Sequence, residues 1–133
     1  MEQQGLQELV NNCYEMAEKL LLDQGEFYPL GARIDFNGEF NYSSFHDGEE
    51  FPLSTTVVEN LKNYFERQLQ NKKIRAYAVT YDSKVTSDSF PTPIDAITIL
   101  IKQFNNDPVL YYFPYSIQDN IIEYFEPWAE NTT

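Results

Sequence analysis

Carboxylates are the side chains through which this sequence could do chemistry. It has one histidine, His46, and one cysteine, Cys13, and neither lies in a motif that supplies a nucleophile with its base. Asp82 closes one predicted strand and Asp95 opens the next, so antiparallel pairing would bring both to one edge of a sheet, near Tyr115. Two carboxylates and a phenol at such a rim could transfer protons. The simpler interpretation is that the two aspartates cap backbone N–H groups of the intervening loop.

A metal or cofactor site is not predicted. His46, Asp47, Glu49 and Glu50 place hard ligands in one loop, but their spacing matches no EF-hand, and a solvated acidic loop is the simpler interpretation. One His and one Cys fall short of a tetrahedral zinc set. The 5 glycines are scattered, so there is no glycine-rich phosphate loop.

The charge balance separates the classes of partner. Asp and Glu number 21 against 9 Lys and Arg, which gives a net charge of -12. Nucleic-acid phosphates and anionic membranes need basic surfaces, so both are excluded as partners, whereas a basic protein remains open. Aromatic residues make up 16% of the chain, enough to supply a binding surface as well as a core. The predicted partner-binding residues are Glu39, Tyr42, Phe45, Asp47, Glu49 and Glu50.

Length and cysteine content predict one cytoplasmic domain. A chain of 133 residues can bury a core of its own, so we expect a single domain over residues 1–133. Cys13 lies on the apolar face of a predicted helix, which indicates a buried, unreactive thiol in a reducing compartment. The N-terminus, Met1 to Gln4, carries no basic segment, and no apolar run is long enough to span a membrane.

The periodicity of apolar residues predicts an α+β fold with the order α-β-β-α-β-β-β. Apolar residues at helical spacing between Leu6 and Leu21 indicate a first helix, which Gly25 ends. A second helix is expected from Ser54 to Lys73. Three antiparallel strands would follow and complete a five-stranded sheet: Ile74 to Val85, Ile94 to Phe104 and Val109 to Ile117. The tail from Ile121 to Trp128 could form a short helix ended by Pro127.

Between the helices, Asn37-Gly38 marks a β-hairpin. A two-residue loop would split the apolar residues between the two faces. A three-residue loop with Gly38 at positive φ sets Ile34 opposite Phe40, on one core-facing side. We therefore predict the three-residue loop.

Several of these segments resemble a pattern found in small, largely uncharacterised bacterial proteins, some of which are similar to immunity proteins that neutralise a toxin. The matching segments are Phe27-Tyr28-Pro29-Leu30-Gly31-Ala32, Asp35, Gly38, Ala76, Tyr81-Asp82, Asp95-Ala96-Ile97 and Phe113-Pro114-Tyr115. The order of elements is more loosely similar to profilin-like and roadblock-type adaptor domains. Neither resemblance implies a catalytic residue.

The sequence thus favours a non-enzymatic, cytoplasmic protein-binding domain without a cofactor, one candidate being an immunity protein that masks a basic toxin. One alternative is a structural adaptor of the roadblock kind, which would form a homodimer. Another is a carboxylate-based enzyme that uses Asp82 and Asp95.

Overall fold

Two helices and seven strands make up the structure, a computed structural model that describes residues 3–27, 29–43 and 54–131. The helices are α1 (Gln3–Gln24) and α2 (Ser54–Gln70). The strands are β1 (Leu30–Asp35), β2 (Phe40–Ser43), β3 (Ile74–Val85), β4 (Ile94–Gln103), β5 (Val109–Gln118), β6 (Ile121–Tyr124) and β7 (Trp128–Asn131). No helix in the described part of the chain is long and apolar enough to cross a membrane.

All the strands pair antiparallel in one sheet of order β2-β1-β3-β4-β5-β6, with β7 also paired to β5. The α+β class is therefore confirmed. The predicted order α-β-β-α-β-β-β holds as far as β5, but two more strands follow. The expected count of five strands is wrong, and a profilin-like arrangement is not confirmed.

The C-terminal helix predicted between Ile121 and Trp128 is also wrong, because this segment pairs with the free edge of β5. Asp119 and Asn120 both adopt positive φ, 52° and 62°, and form the two-residue turn that folds β6 back onto β5. The chain then passes Pro127 and pairs with the first half of β5 as β7. Backbone hydrogen bonds along an open edge outweigh the weak helical tendency of so short a segment.

The predicted register of the first hairpin is confirmed. Ile34 lies opposite Phe40, and Gly38 has φ +88°. The Gly38 N–H donates to the Asp35 carbonyl at 2.9 Å, and the Asp35 N–H donates to the Glu39 carbonyl at 3.0 Å. Ile34 is buried, and Phe40 packs against the same core from its half-buried position.

The helices cover opposite faces of the sheet, because alternate residues of β3 and β4 are apolar on both sides. Ala76 and Ala78 pack beneath α1, whereas Tyr77 and Val79 pack beneath α2. The ring of Phe65 in α2 stacks on Tyr77 with centroids 5.1 Å apart. Each side of the sheet thus has its own core, and the α1 side extends over β5 and β6.

Candidate functional site

Of the residues predicted to form a rim cluster, Asp82 and Tyr115 lie near the ends of β3 and β5, and Asp95 lies at the start of β4, at the same end of the sheet. The Tyr115 hydroxyl donates a hydrogen bond to Asp82 Oδ1 at 3.0 Å, and only 3% of the Tyr115 side chain is exposed. Lys84 Nζ lies 2.8 Å from Asp95 Oδ1. Antiparallel pairing aligns Lys84 directly with Asp95, which explains this contact.

The electrostatics of the cluster centre on Asp82. Burial raises the pKa of Asp82, the charge of Asp95 raises it further, and the hydrogen bond from Tyr115 opposes both effects. Burial also raises the pKa of Tyr115, and the carboxylate of Asp82 adds to that effect. Asp82 could therefore hold a proton to higher pH than an ordinary aspartate. The hydrogen bond joins β5 to β3, and the ion pair joins β3 to β4. Asp82, Asp95 and Tyr115 line none of three cavities in the described part of the chain.

Two of the six predicted partner-binding residues lie in the described part of the chain. Glu39 is exposed in the hairpin turn. Tyr42 on the edge strand β2 is 45% exposed, and its hydroxyl donates to the Asn12 carbonyl at 3.1 Å. Phe45, Asp47, Glu49 and Glu50, together with His46, lie outside the described residues. Glu39 and Tyr42 thus share the β2 edge of the sheet.

A groove that the sequence reasoning missed runs between the N-terminal half of α1 and the strands β5, β6 and β7. Two cavities, of about 370 and 330 Å³, share Gln7, Val10, Phe113 and Pro127 in their walls, so they form one continuous depression. We call it the α1 groove. Its remaining walls are Tyr111, Trp128 and Ala129 in one cavity and Asn11, Tyr14, Tyr124 and Phe125 in the other.

Aromatic contacts fix the floor of the α1 groove. The rings of Tyr14 in α1 and Phe113 meet edge to face with centroids 4.9 Å apart, and the centroids of the Tyr14 and Tyr124 rings are 5.3 Å apart. The Tyr124 hydroxyl donates to Glu18 Oε2 at 2.7 Å, which ties β6 to α1. Burial raises the pKa of Tyr124, and its hydrogen bonds with Tyr14 and Glu18 act in the same direction. These rings come to one face because β5 and β6 alternate in antiparallel register.

Among the described residues, no charged side chain of either sign lines the α1 groove, but the C-terminal segment that forms its strand walls carries only acidic charges. Residues 103–133 contain no Lys, Arg or His, but they do contain five acids: Asp107, Asp119, Glu123, Glu126 and Glu130. None of the 9 Lys and Arg residues lines the groove. A sequence signal for the site therefore existed, namely an aromatic C-terminal segment without a single basic residue. A helix between Ile121 and Trp128 would not pair with β5, so the prediction of a helix did not place this segment opposite α1.

In the described parts of the chain, no group of three or more His, Cys, Asp or Glu side chains could hold a metal ion. Comparisons with protein-family models, curated proteins and solved structures gave no match to this chain. The resemblance to small bacterial proteins therefore stays a prediction from the sequence. The function has to be inferred from the geometry of the chain itself.

Proposed function

We propose that this protein is a non-enzymatic binding domain whose partner is a basic protein, held at the α1 groove. The observation that carries the proposal is the combination of aromatic walls with a C-terminal segment, residues 103–133, whose charged residues are all acidic. Tyr14, Tyr111 and Phe113 line the groove, and no charged side chain in the described part of the chain does. Nucleic acids and anionic membranes would be repelled by such a surface, whereas a cationic protein would be attracted.

The two features have different roles in binding. Aromatic side chains that are partly exposed in a concave surface lose water when an apolar segment of the partner enters, and this supplies most of the affinity. The net charge of -12, to which Glu126 and Glu130 next to the lining residues Pro127 and Ala129 contribute, would accelerate encounter with a positively charged partner. A helix or loop with apolar residues on one side and Lys or Arg on the other would match both features.

In its narrower form, the proposal makes the protein an immunity protein that covers the basic surface of a toxin. The support for this form is the resemblance of residues 27 to 115 to small bacterial proteins, together with the net charge of -12. A toxin that acts on nucleic acid needs a basic surface. An acidic domain bound there would block it.

The first experiment is affinity purification with the intact protein as bait, followed by measurement of association rates with the recovered protein. We expect a partner of net positive charge. Raising the ionic strength from about 0.01 to 0.15 M shortens the Debye length from about 30 to 8 Å and should slow association several-fold. A recovered partner of net negative charge, or an association rate independent of salt, would contradict the proposal.

A pair of lysine substitutions tests the location. Ala129 is exposed on β7 and lines the α1 groove, so Ala129→Lys places a cation in the groove and should weaken binding at least about tenfold, mainly through a clash and a like charge. Ile121 is 71% exposed and lines none of the described cavities, so Ile121→Lys is the matched control. Equal loss in both variants would place the partner elsewhere. A dimeric mass of the free protein in light scattering would favour the homodimeric adaptor instead.

A further inference from the structure

A third cavity, of about 500 Å³, lies next to the α1 groove, between the β3–β4 connection and the link from β6 to β7. One wall is the segment from Ser87 to Phe90, and the other runs from Phe125 to Trp128. Phe90 of one wall and Phe125 of the other are in direct edge-to-face contact, with ring centroids 5.2 Å apart, and join the two walls at one side of the cavity. Three aromatic rings therefore line what we call the aromatic pocket.

The walls of the aromatic pocket are held by local hydrogen bonds. The Ser87 N–H donates to the Phe90 carbonyl and the Phe90 N–H donates to the Ser87 carbonyl, both at 3.0 Å, so this segment is a closed turn. The Phe125 N–H donates to the Pro114 carbonyl at 3.0 Å and anchors the other wall to β5. Because both walls are set before any ligand arrives, little ordering cost is expected on binding.

Trp128 is fixed in the same way. Its indole stacks on Tyr112 at 5.1 Å with the rings inclined by 29°, and its Nε1–H donates to Glu130 Oε1 at 3.3 Å. One face of the indole is thus covered, while the residue still lines the pocket. The chain contains no other tryptophan.

The charged side chains that line the aromatic pocket are all carboxylates. Asp88 and Glu126 are exposed, one on each wall, and neither forms an ion pair with any of the 9 Lys and Arg residues, all of which the structure describes. Ser87 and Ser89 add hydroxyl oxygens. Aromatic rings combined with carboxylates attract an organic cation both through the ring quadrupole and through charge.

We propose that the aromatic pocket binds the guanidinium group of an arginine side chain. A guanidinium is planar and weakly hydrated, so it can stack on Phe90, Phe125 or Trp128 while its N–H groups reach Asp88 and Glu126 from between the walls. The compact, strongly hydrated ammonium of lysine gains less from ring faces. This inference rests on the proposed function in one respect, because it takes the arginine to belong to the basic protein partner. Apolar residues next to that arginine would occupy the α1 groove.

Fluorescence of the single tryptophan reports on the pocket directly. We expect N-acetyl-argininamide to change Trp128 emission saturably, and its uncharged analogue, N-acetyl-citrullinamide, to cause no change at the same concentration. The double substitution Asp88→Asn with Glu126→Gln keeps the shapes of both side chains and should weaken arginine binding about five- to tenfold. Asp107→Asn with Asp119→Asn removes two exposed carboxylates that line no described cavity and should leave binding unchanged. An equal response to the citrulline compound, or equal loss in both double variants, would overturn the inference.

The protein partner recovered by affinity purification separates this inference from the proposed function. We expect the Asp88→Asn, Glu126→Gln variant to release that partner about tenfold faster, with the control variant unchanged. A basic partner that binds both variants equally would leave the proposed function standing and remove arginine recognition by the pocket. Pocket-dependent binding of N-acetyl-argininamide without any basic protein partner would do the reverse.

Discussion

Replacing Tyr115 by phenylalanine tests whether the rim cluster contributes to stability through one hydrogen bond. The hydroxyl donates to Asp82 Oδ1 at 3.0 Å from a side chain that is 3% exposed, so the ring of the variant would keep its packing. A hydrogen bond to a charged acceptor contributes about 1.5–3 kcal/mol. Asp82 as a whole residue is exposed, so the lower end applies: the free energy of unfolding should fall by about 1.5 kcal/mol, or Tm by roughly 5 °C.

The pH dependence of this loss follows from the pKa of Asp82. Burial raises that pKa, and the Tyr115 hydroxyl opposes the rise, so the Tyr115→Phe variant should show a still higher value. Because the pKa is raised on folding, the folded protein binds this proton more tightly than the unfolded chain. Binding of this proton to Asp82 stabilises the folded protein fully below the pKa that Asp82 has in the unfolded chain. The stabilisation is lost as the pH rises through the pKa that Asp82 has in the folded protein. The substitution should therefore cost most at neutral pH and less once Asp82 is protonated.

Urea unfolding at neutral and acidic pH measures the cost, and carbon NMR of the Asp82 carboxyl group measures the pKa. Tyr111→Phe is the matched control, since the Tyr111 hydroxyl forms no hydrogen bond with another described residue. An Asp82 pKa that stays constant or falls in Tyr115→Phe would refute the reasoning. So would a cost that does not change with pH.

Three further outcomes are expected. Cys13 is 2% exposed and burial raises its pKa to about 11, so a thiol reagent should label it far more slowly in the native protein than in urea; rapid native labelling would contradict this. In Gly38→Ala the added Cβ meets no neighbouring atom, but an alanine at φ +88° is strained, so the free energy of unfolding in urea should fall by about 1 kcal/mol. An unchanged free energy of unfolding would mean that this position requires no glycine. Phe65→Ala empties a fully buried site stacked on Tyr77 and should cost about 3–5 kcal/mol, whereas Leu22→Ala, 38% exposed, should cost well under half of that.

Local sequence patterns were enough to predict the two helices and the register of the first hairpin. The helices around Cys13 and Phe65 follow from apolar spacing, and the burial of Cys13 is confirmed. The register of Ile34 against Phe40 follows from matching apolar side chains across a turn that needs Gly38. Each of these outcomes depends on residues close together in sequence, where one arrangement buries more apolar surface than its rivals.

The rim cluster could be predicted in part, for a similar reason. Consecutive antiparallel strands place the end of one beside the start of the next, which brings Asp82, Asp95 and Tyr115 together. The partner of each carboxylate was not predictable. Tyr115 donates to Asp82, and Lys84 pairs with Asp95, because side-chain reach and burial decide among several neighbours on one face.

The amino-acid sequence by itself determined the class of fold, the two helices, the hairpin register and the acidic net charge. Only the tertiary structure decided that the C-terminal segment forms the strands β6 and β7, and these strands supply walls of the α1 groove and the aromatic pocket. The segment around Ile122 and Tyr124 has no strong local preference, so the open edge of β5 settled its conformation through backbone pairing. That pairing brings residues of β6 and β7 opposite α1, more than 100 residues away in sequence, as the Tyr124 to Glu18 hydrogen bond illustrates. The α1 groove and the aromatic pocket exist because of these long-range contacts, which no local pattern encodes.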